Sequence, residues 1–264
     1  AATVHSNYRQ DFLNSKIKHV IFTPLSIKGL RSFKYFICVS DYIRNLLEGE
    51  GFNGKKIVVY NGFQFQEALL QDSMAVRGSL GIDATDFVYI MVARLHPVKN
   101  HARLINAFNR LHMEFSGTKL LLIGEGSLEN ELKSLGNDGV VFAGYRENVL
   151  DFINASDISV LSSLSEGGSP PLVILESAAV KKAAAVSNAG DMPNIINSSN
   201  GFIFDPYSED DIYLKLKAAY VNRGALPEMG DRLYKDVIER FSMDKFCRRY
   251  YDAYKSIIED FNGK

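Results

Sequence analysis

The amino-acid sequence predicts an α/β protein built around parallel β-sheets, and three observations carry this prediction. Short runs rich in β-branched and aromatic residues alternate with amphipathic segments, as in βαβ units. Of the 264 residues, 46% are apolar and 23% are charged, as in ordinary globular proteins. The length suits one large domain or two small ones. This composition excludes disordered, collagen-like and disulfide-stapled chains.

The predicted elements follow one another in a regular order. The strands cover residues 35–39, 56–60, 87–93, 118–123, 140–143, 157–161, 183–186 and 201–204. The helices lie near residues 41–48, 100–114, 128–135, 147–154, 171–181, 209–222 and 243–260. In the second of these helices Leu104 and Phe108 have helical spacing, and Asn100 is the expected N-cap. The last helix carries an apolar stripe and is expected to dock on another part of the chain.

A linker is predicted after Tyr60-Asn61-Gly62-Phe63, because residues 64–86 are polar and irregular. Residues 80–240 hold about six βα units, enough for a doubly wound domain with a complete sheet. Residues 1–63 contain few strands and cannot form an ordinary core alone. We therefore expect three parts, which are residues 1–63, 64–240 and 241–264.

Charge excludes one class of partner and leaves another open. The net charge is −1 and the isoelectric point is about 6.6, so the chain lacks the basic field that attracts nucleic acid. Residues 1–63 carry nine Lys and Arg against four Asp and Glu, a balance of +5. This excess is compatible with peripheral contact to an anionic membrane, although solvated charge is its more common meaning.

The cysteines and the apolar runs indicate a cytoplasmic protein. Cys38 and Cys247 lie far apart, outside any metal-ligand or redox spacing, so reduced thiols are expected. The longest apolar runs are far shorter than the roughly 20 residues of a membrane helix. The first residues lack the pattern of a signal peptide, and none is expected.

The first candidate site follows the strand at 87–93. Ligands of open α/β sheets bind beyond the carboxyl ends of strands, and here Arg94 follows the strand while Lys99 precedes the next helix. A guanidinium, an ammonium and a helix N-terminus together suit a diphosphate. The alternative is that both are surface residues beside a loop, and the local sequence leaves the two interpretations open.

The second candidate is the turn Gly124-Glu125-Gly126 after the strand at 118–123. Its glycines either let a nucleotide approach closely or only permit a tight turn. Glu129 stands where a dinucleotide-binding fingerprint has its third glycine, which disfavours a nicotinamide dehydrogenase.

The third candidate covers residues 162–178, where a strand ends, a loop opens at Glu166 and a helix begins. Backbone N–H groups that an anion can reach are expected at Gly167, Gly168, Leu172 and Val173. Glu176 lies inside the helix among apolar residues, where a carboxylate without a partner is costly. Two ribose hydroxyls would serve as its partners, and a solvent-facing glutamate is the alternative.

Together these motifs resemble glycosyltransferase family 4, a branch of the GT-B fold whose members transfer sugars from nucleotide-activated donors with retention of configuration. The resemblance covers essentially the whole chain, and its marks are specific in combination. They are Val4-His5-Ser6, Cys38-Val39-Ser40, Tyr60-Asn61-Gly62, Ala93-Arg94-Leu95 with Lys99-Asn100, Gly124-Glu125-Gly126, Phe142-Ala143-Gly144-Tyr145 and the segment from Glu166 to Glu176.

The resemblance implies a role for each part of the chain. Residues 64–240 would form a Rossmann-like domain that binds the nucleotide-sugar donor. Residues 1–63 would be the end of the acceptor-side domain, and the helix in residues 241–264 would return to it.

The resemblance also implies roles for individual residues. Those expected to act in catalysis are Arg94, Lys99, Glu166 and His5, and those expected to bind the donor are Gly124, Gly126, Tyr145, Arg146, Gly167, Gly168, Leu172, Val173 and Glu176. Arg94 and Lys99 would hold the diphosphate in place of a metal, and the sequence contains no D-x-D pair for a divalent cation. No cofactor is expected. The other histidines, His19, His96, His101 and His112, are expected to be structural.

Two departures from the family pattern affect these expectations. The loop between Glu166 and Glu176 holds nine residues, two more than the family pattern, which leaves the role of Glu166 open. Only four residues precede His5, whereas a complete acceptor-side domain would place on the order of a hundred or more there. The expectation is a fragment of a transferase that keeps the donor-binding domain and lacks most of the acceptor-side domain, so that the fragment by itself would bind donor without transferring the sugar.

The predicted function is transfer of a hexosyl group from a nucleotide-diphosphate donor, such as a UDP-sugar, to a glycan or lipid-linked acceptor in polysaccharide or glycoconjugate biosynthesis. One alternative is a non-catalytic nucleotide-sugar-binding module. The other is a GT-B nucleotide-sugar epimerase, which needs acid and base carboxylates that these motifs do not provide.

Overall fold

The computed structural model describes residues 1–7, 16–65 and 69–263, with the side chains of residues 16, 18 and 19 left out. The chain divides into two compact units. The first unit consists of Ala1–Phe65, Glu166–Pro171 and Glu239–Lys264, and the second consists of Gln66–Ser165 and Leu172–Ile238. The predicted division followed chain order, whereas the first unit also includes the short segment Glu166–Pro171.

The first unit is built on a small parallel sheet. Its strands are β1 (Ala2–Val4), β2 (Tyr35–Cys38) and β3 (Lys55–Val58), in the order β1-β2-β3. Its helices are α1 (Lys16–Leu30), α2 (Asp41–Gly49) and α10 (Met243–Asn262). The central strand β2 is buried along its whole length, which agrees with the apolar run that predicted it.

Two elements of the first unit were not predicted. β1 has only three residues, too few for a period of two to be recognised. In α1 the apolar residues are not confined to one face and Pro24 lies inside the helix, so the sequence shows no helical stripe there. His19 was predicted to be structural, and its side chain is outside the described part of the structure.

The second unit contains a six-stranded parallel sheet. Its strands are β4 (Phe87–Val92), β5 (Thr118–Ile123), β6 (Val140–Gly144), β7 (Ile158–Leu161), β8 (Ala184–Ser187) and β9 (Gly201–Phe204). Their order is β6-β5-β4-β7-β8-β9, which is the strand order of a doubly wound Rossmann sheet. The α/β class and the Rossmann-like domain predicted from sequence are confirmed.

Helices cover both faces of this sheet. They are α3 (Ser73–Ser79), α4 (His101–Glu114), α5 (Glu129–Leu135), α6 (Val149–Asn154), α7 (Leu172–Ala179), α8 (Glu209–Val221) and α9 (Leu226–Phe241), the last of which ends in the first unit. Alternate residues of β4 pack on opposite faces of the sheet. Tyr89 and Met91 pack with α4, α5 and α8, while Val88 and Ile90 pack with α6.

Two helices of the second unit were missed. α3 lies within residues 64–86, which were predicted to be an irregular linker; it is seven residues long and begins where the Asp72 side chain accepts a hydrogen bond from Ala75 N. α9 contains Pro227 and Gly230, which obscured its helical pattern. Leu233 and Val237 are nevertheless fully buried on its inner face.

The predicted N-cap of α4 was wrong in its geometry. Asn100 has a left-handed backbone (φ 60°) and makes no side-chain cap hydrogen bond. Its side-chain amide instead donates to Pro206 O at 2.8 Å. A long-range contact therefore fixes the conformation of this residue.

Within the described ranges, no helix combines the length and the hydropathy that a bilayer crossing requires.

A close helix contact gives a test of the packing of the second unit. A methyl group at Gly230 would overlap the backbone carbonyl of Lys181, so Gly230→Ala should lower the free energy of unfolding by about 1–3 kcal/mol. Gly78 in α3 is the matched control, because a methyl group there meets no atom within 4 Å. Gly78→Ala should stabilise by about 0.5–1 kcal/mol. Urea unfolding of both variants measures the difference, and equal effects would contradict the close contact.

Candidate functional site

The candidate site lies at the carboxyl edge of the six-stranded sheet. All six strands are parallel, so the loops that follow β6, β5, β4 and β7 leave the sheet at one edge. From β4 the chain moves to β5 on one side, and it later returns to β7 on the other side. Such a switch point opens a crevice at the strand ends, where α/β proteins bind ligands.

Two cations follow β4 at this switch point. Arg94 is exposed, and within the described residues no hydrogen bond or ion pair of its guanidinium is recorded. Lys99 ends the 3-10 turn Pro97–Lys99, directly before α4. Burial lowers the pKa of His96, and the charges of Arg94 and Lys99 lower it further. Both cations therefore act electrostatically on the same imidazole.

The loop that carries Arg94 is hydrogen-bonded to the end of β5 and to the turn that follows it. Ala93 N donates to Ile123 O at 2.9 Å, and Leu95 N donates to Glu125 O at 3.0 Å. These bonds continue the pairing of β4 with β5 beyond the sheet. The backbone on both sides of Arg94 is therefore fixed while its side chain reaches into solvent.

The glycines of the turn after β5 allow the two backbones to approach closely enough for these hydrogen bonds. Gly124 has φ +135°, and a methyl group on it would overlap the carbonyl of Ala93. A methyl group on Gly126 would overlap the carbonyl of Leu95. Backbone packing thus requires both glycines, which favours the tight-turn interpretation and gives the turn a role in placing Arg94.

Glu176 is the acidic group of the site. It is half-buried in α7, and within the described residues no hydrogen bond or ion pair is recorded for its carboxylate. Burial raises the pKa of Glu176. A partly desolvated carboxylate of this kind gains most from a ligand that supplies hydroxyl donors. Leu172 and Val173 form the start of the same helix, where backbone N–H groups are left for an anion.

Tyr145 and Arg146 follow β6 at the far side of the site. Gly124 N donates to Gly144 O at 2.9 Å, which ties the ends of β5 and β6 together. The Tyr145 ring is 65% exposed, while the Arg146 guanidinium lies over the Phe152 ring at 5.5 Å. An exposed aromatic ring at this edge can stack on a nucleotide base.

The other predicted residues, His5, Glu166, Gly167 and Gly168, belong to the first unit. There the Ser40 hydroxyl donates to Gly167 O at 2.8 Å. A methyl group at Gly167 would lie 2.8 Å from Ser6 Cα and 3.1 Å from His5 O. The structure therefore brings His5 and Gly167 together at the carboxyl ends of β1 and β2.

His101, which was expected to be structural, is an unusual side chain two residues after Lys99. His101 is 2% exposed, and neither ring nitrogen has a hydrogen-bond partner in the described structure. Burial and the charge of Lys99 lower its pKa to about 4. The ring is neutral at physiological pH and adds no positive charge to the site. Its position directly after the Lys99-Asn100 pair was the available signal.

Comparisons with known proteins identify the family and the fold. The family model "Glycosyl transferases group 1" matches residues 72–237. N-acetyl-alpha-D-glucosaminyl L-malate synthase of Bacillus anthracis is 27% identical over 78% of this chain and 55% of its own length. Alpha-monoglucosyldiacylglycerol synthase of Streptococcus pneumoniae is 25% identical over 97% of this chain and 60% of its own length. The chain thus spans a little over half the length of these relatives.

Among solved structures, Anabaena Alr3699/HepE in complex with UDP and glucose superposes with a TM-score of 0.77. It is 20% identical, and the match covers 88% of this chain and 66% of that protein. This likeness supports the fold. With its doubly wound sheet and its family match over most of the second unit, the chain belongs to the glycosyl transferases group 1 family and has a GT-B type fold.

Proposed function

We propose that the protein transfers a hexosyl group from a nucleoside-diphosphate donor, in the first place a UDP-sugar, to a hydroxyl of a glycan or lipid-linked acceptor, with retention of configuration. The observation that carries this proposal is the pair of cations at the switch point. Arg94 is exposed, and both Arg94 and Lys99 act electrostatically on His96. Two positive groups on a fixed loop match the two phosphates of such a donor.

In the proposed reaction, negative charge grows on the diphosphate as the bond to the sugar breaks. Arg94 and Lys99 lie in a preorganised loop, so they stabilise this charge without having to reorganise. Two side-chain cations take the place of a divalent metal in this scheme. Glu176 binds the ribose hydroxyls, and Tyr145 and Arg146 lie beside the base.

The first unit contributes to the proposed handling of the sugar. Glu166 and the backbone of Gly167 and Gly168 would hold the sugar hydroxyls, with His5 facing the sugar. The contact of Gly167 with the His5 backbone supports a shared role for these residues.

The acceptor is proposed to be a glycan or a glycolipid precursor, reached from the cytoplasm at the inner face of the membrane. The relative named alpha-monoglucosyldiacylglycerol synthase supports a lipid acceptor. In addition, Ile17, Val20 and Leu25 of α1 are exposed, and residues 1–63 carry the basic excess noted above. Apolar and basic side chains together favour the surface of an anionic membrane.

The proposal is tested with a donor panel of UDP-glucose, GDP-glucose and ADP-glucose in metal-free buffer containing a chelator. A donor at about 100 times its dissociation constant stabilises the native state by about 2.7 kcal/mol. The expected rise in Tm is about 5 °C or more for the UDP-sugar. A shift by another nucleotide would reassign the base, and no shift by any donor would refute the donor-binding proposal.

Removing the exposed cation should weaken diphosphate binding specifically. We expect Arg94→Ala to lower the affinity for UDP at least tenfold, because a charge-assisted hydrogen bond contributes about 1.5–3 kcal/mol. Uridine should bind equally to both proteins. Arg110→Ala is the control, since Arg110 pairs with Asp210 elsewhere on the second unit. Titration calorimetry measures all three proteins, and an unchanged affinity for UDP would remove Arg94 from the diphosphate site.

Glu176→Gln should weaken nucleotide binding and stabilise the free protein. Because burial raises the pKa of Glu176, the folded state binds its proton more tightly than the unfolded state does. Its ionised form therefore costs stability at neutral pH, and this cost disappears as the pH falls through the raised pKa. Glutamine removes the cost of burying an ionised carboxylate, which stabilises the free protein. Glutamine also removes the charged acceptor for the ribose hydroxyls, so the affinity for UDP should fall about tenfold.

The control for this variant is Glu131→Gln, at an exposed position on α5. Urea unfolding between pH 7 and pH 4 should show a stability gain for Glu176→Gln that shrinks toward pH 4. A gain that is independent of pH would contradict the buried carboxylate, and an undiminished UDP affinity would contradict its role in binding.

A further inference from the structure

We propose that Ser162 is a positioning residue for Lys99, holding the backbone of the diphosphate-binding turn through a buried hydroxyl. This inference rests on the proposed function and deepens it. Ser162 was not among the residues that sequence reasoning assigned to the site.

The contact is direct, and the serine that makes it is buried. Ser162 follows the last residue of β7 and is 0% exposed. Its Oγ donates to Lys99 O at 2.8 Å and lies 3.5 Å from Asn100 O. Two residues later, Leu164 N donates to Val98 O at 2.8 Å. Two hydrogen bonds thus join the segment after β7 to the turn that ends in Lys99.

The rest of the turn is fixed from other directions. Lys99 N donates to His96 O at 2.9 Å, and the Asn100 side chain donates to Pro206 O at 2.8 Å. On the β5 side, Leu95 N donates to Glu125 O at 3.0 Å. Among these contacts, the bond from Ser162 is a side-chain bond to Lys99 itself, so a substitution can remove it without changing the backbone sequence of the turn.

The consequence for the ligand follows from geometry. A lysine has four flexible methylene groups, and its ammonium can be placed accurately only if the backbone at its root is fixed. Loss of the hydroxyl leaves the partly buried Lys99 carbonyl without this donor, which favours a shift of the turn toward another donor. A shift of about 1 Å at a charged group can reduce a binding or catalytic interaction many-fold.

The chain supplies a matched control at the opposite end of the same strand. Ser156 precedes β7 and is 1% exposed. Its Oγ donates to the backbone carbonyl of Phe152 at 2.8 Å. Removal of either hydroxyl deletes an equivalent buried hydrogen bond, but Ser162 alone contacts the turn of Lys99. A merely structural role predicts equal effects of the two substitutions on ligand affinity.

The test measures binding of inorganic pyrophosphate and of UDP by titration calorimetry in metal-free buffer. We expect Ser162→Ala to lower the affinity for both ligands about tenfold and Ser156→Ala to change it less than twofold. Ser162→Cys keeps a weak donor of similar size and should give an intermediate loss. In the Lys99→Ala background, Ser162→Ala should cause no additional loss, because the two residues act as one unit.

The outcomes separate this inference from the proposed function. If wild type binds pyrophosphate but not UDP, and Ser162→Ala still weakens pyrophosphate, the positioning role stands and the nucleotide assignment fails. Equal losses in Ser162→Ala and Ser156→Ala, or additive losses with Lys99→Ala, would overturn the positioning role. If Ser162→Ala does not fold, Ser162→Cys takes its place in the test. An unchanged affinity of Ser162→Cys for pyrophosphate and UDP would also overturn the positioning role. Binding of neither ligand to wild type would refute both proposals.

Discussion

The close contact between the loops that follow β4 and β5 is the constraint on which the site depends. Gly124 and Gly126 let the two backbones approach so closely that a side chain on either would overlap a carbonyl. This contact extends the sheet by two hydrogen bonds. The residue between those bonds, Arg94, consequently has a fixed backbone and an exposed side chain. Preorganisation of this kind lowers the entropy that is lost when a ligand binds.

The positive and negative groups of the candidate site differ in how much their charge costs the folded protein. Arg94 reaches into water, where its charge costs little, whereas Glu176 is half-buried and its charge is costly. Functional sites commonly keep such unfavourable groups because the ligand compensates for them. His101 illustrates the same balance differently, since burial beside Lys99 keeps its ring neutral. The site therefore concentrates its positive charge on Arg94 and Lys99.

Much of the second unit could be predicted from the sequence, because β4, β5, β7 and β8 are almost entirely buried and appear as continuous apolar runs. The cations at the end of β4 and the carboxylate in α7 stay predictions, and they were chosen because each stands where strand order puts ligands. The roles of Gly124 and Gly126 were left open, because only the structure shows which backbone approaches them. Ser162 and the left-handed Asn100 were missed for a similar reason. Their conformations depend on partners 63 and 106 residues away, and local sequence patterns carry no signal from such distances.

The division of the chain into two units has a practical consequence. The polypeptide passes from one unit to the other four times, at 65/66, 165/166, 171/172 and 238/239. No single cut therefore releases an intact second unit, and a fragment excised at the ends of that unit would still carry Glu166–Pro171. Recombination that exchanges the second unit between homologues would have to transplant this hexapeptide with its matching surroundings, or replace it separately. Exchange of whole domains is thus harder in this architecture than in proteins whose domains are joined by a single linker.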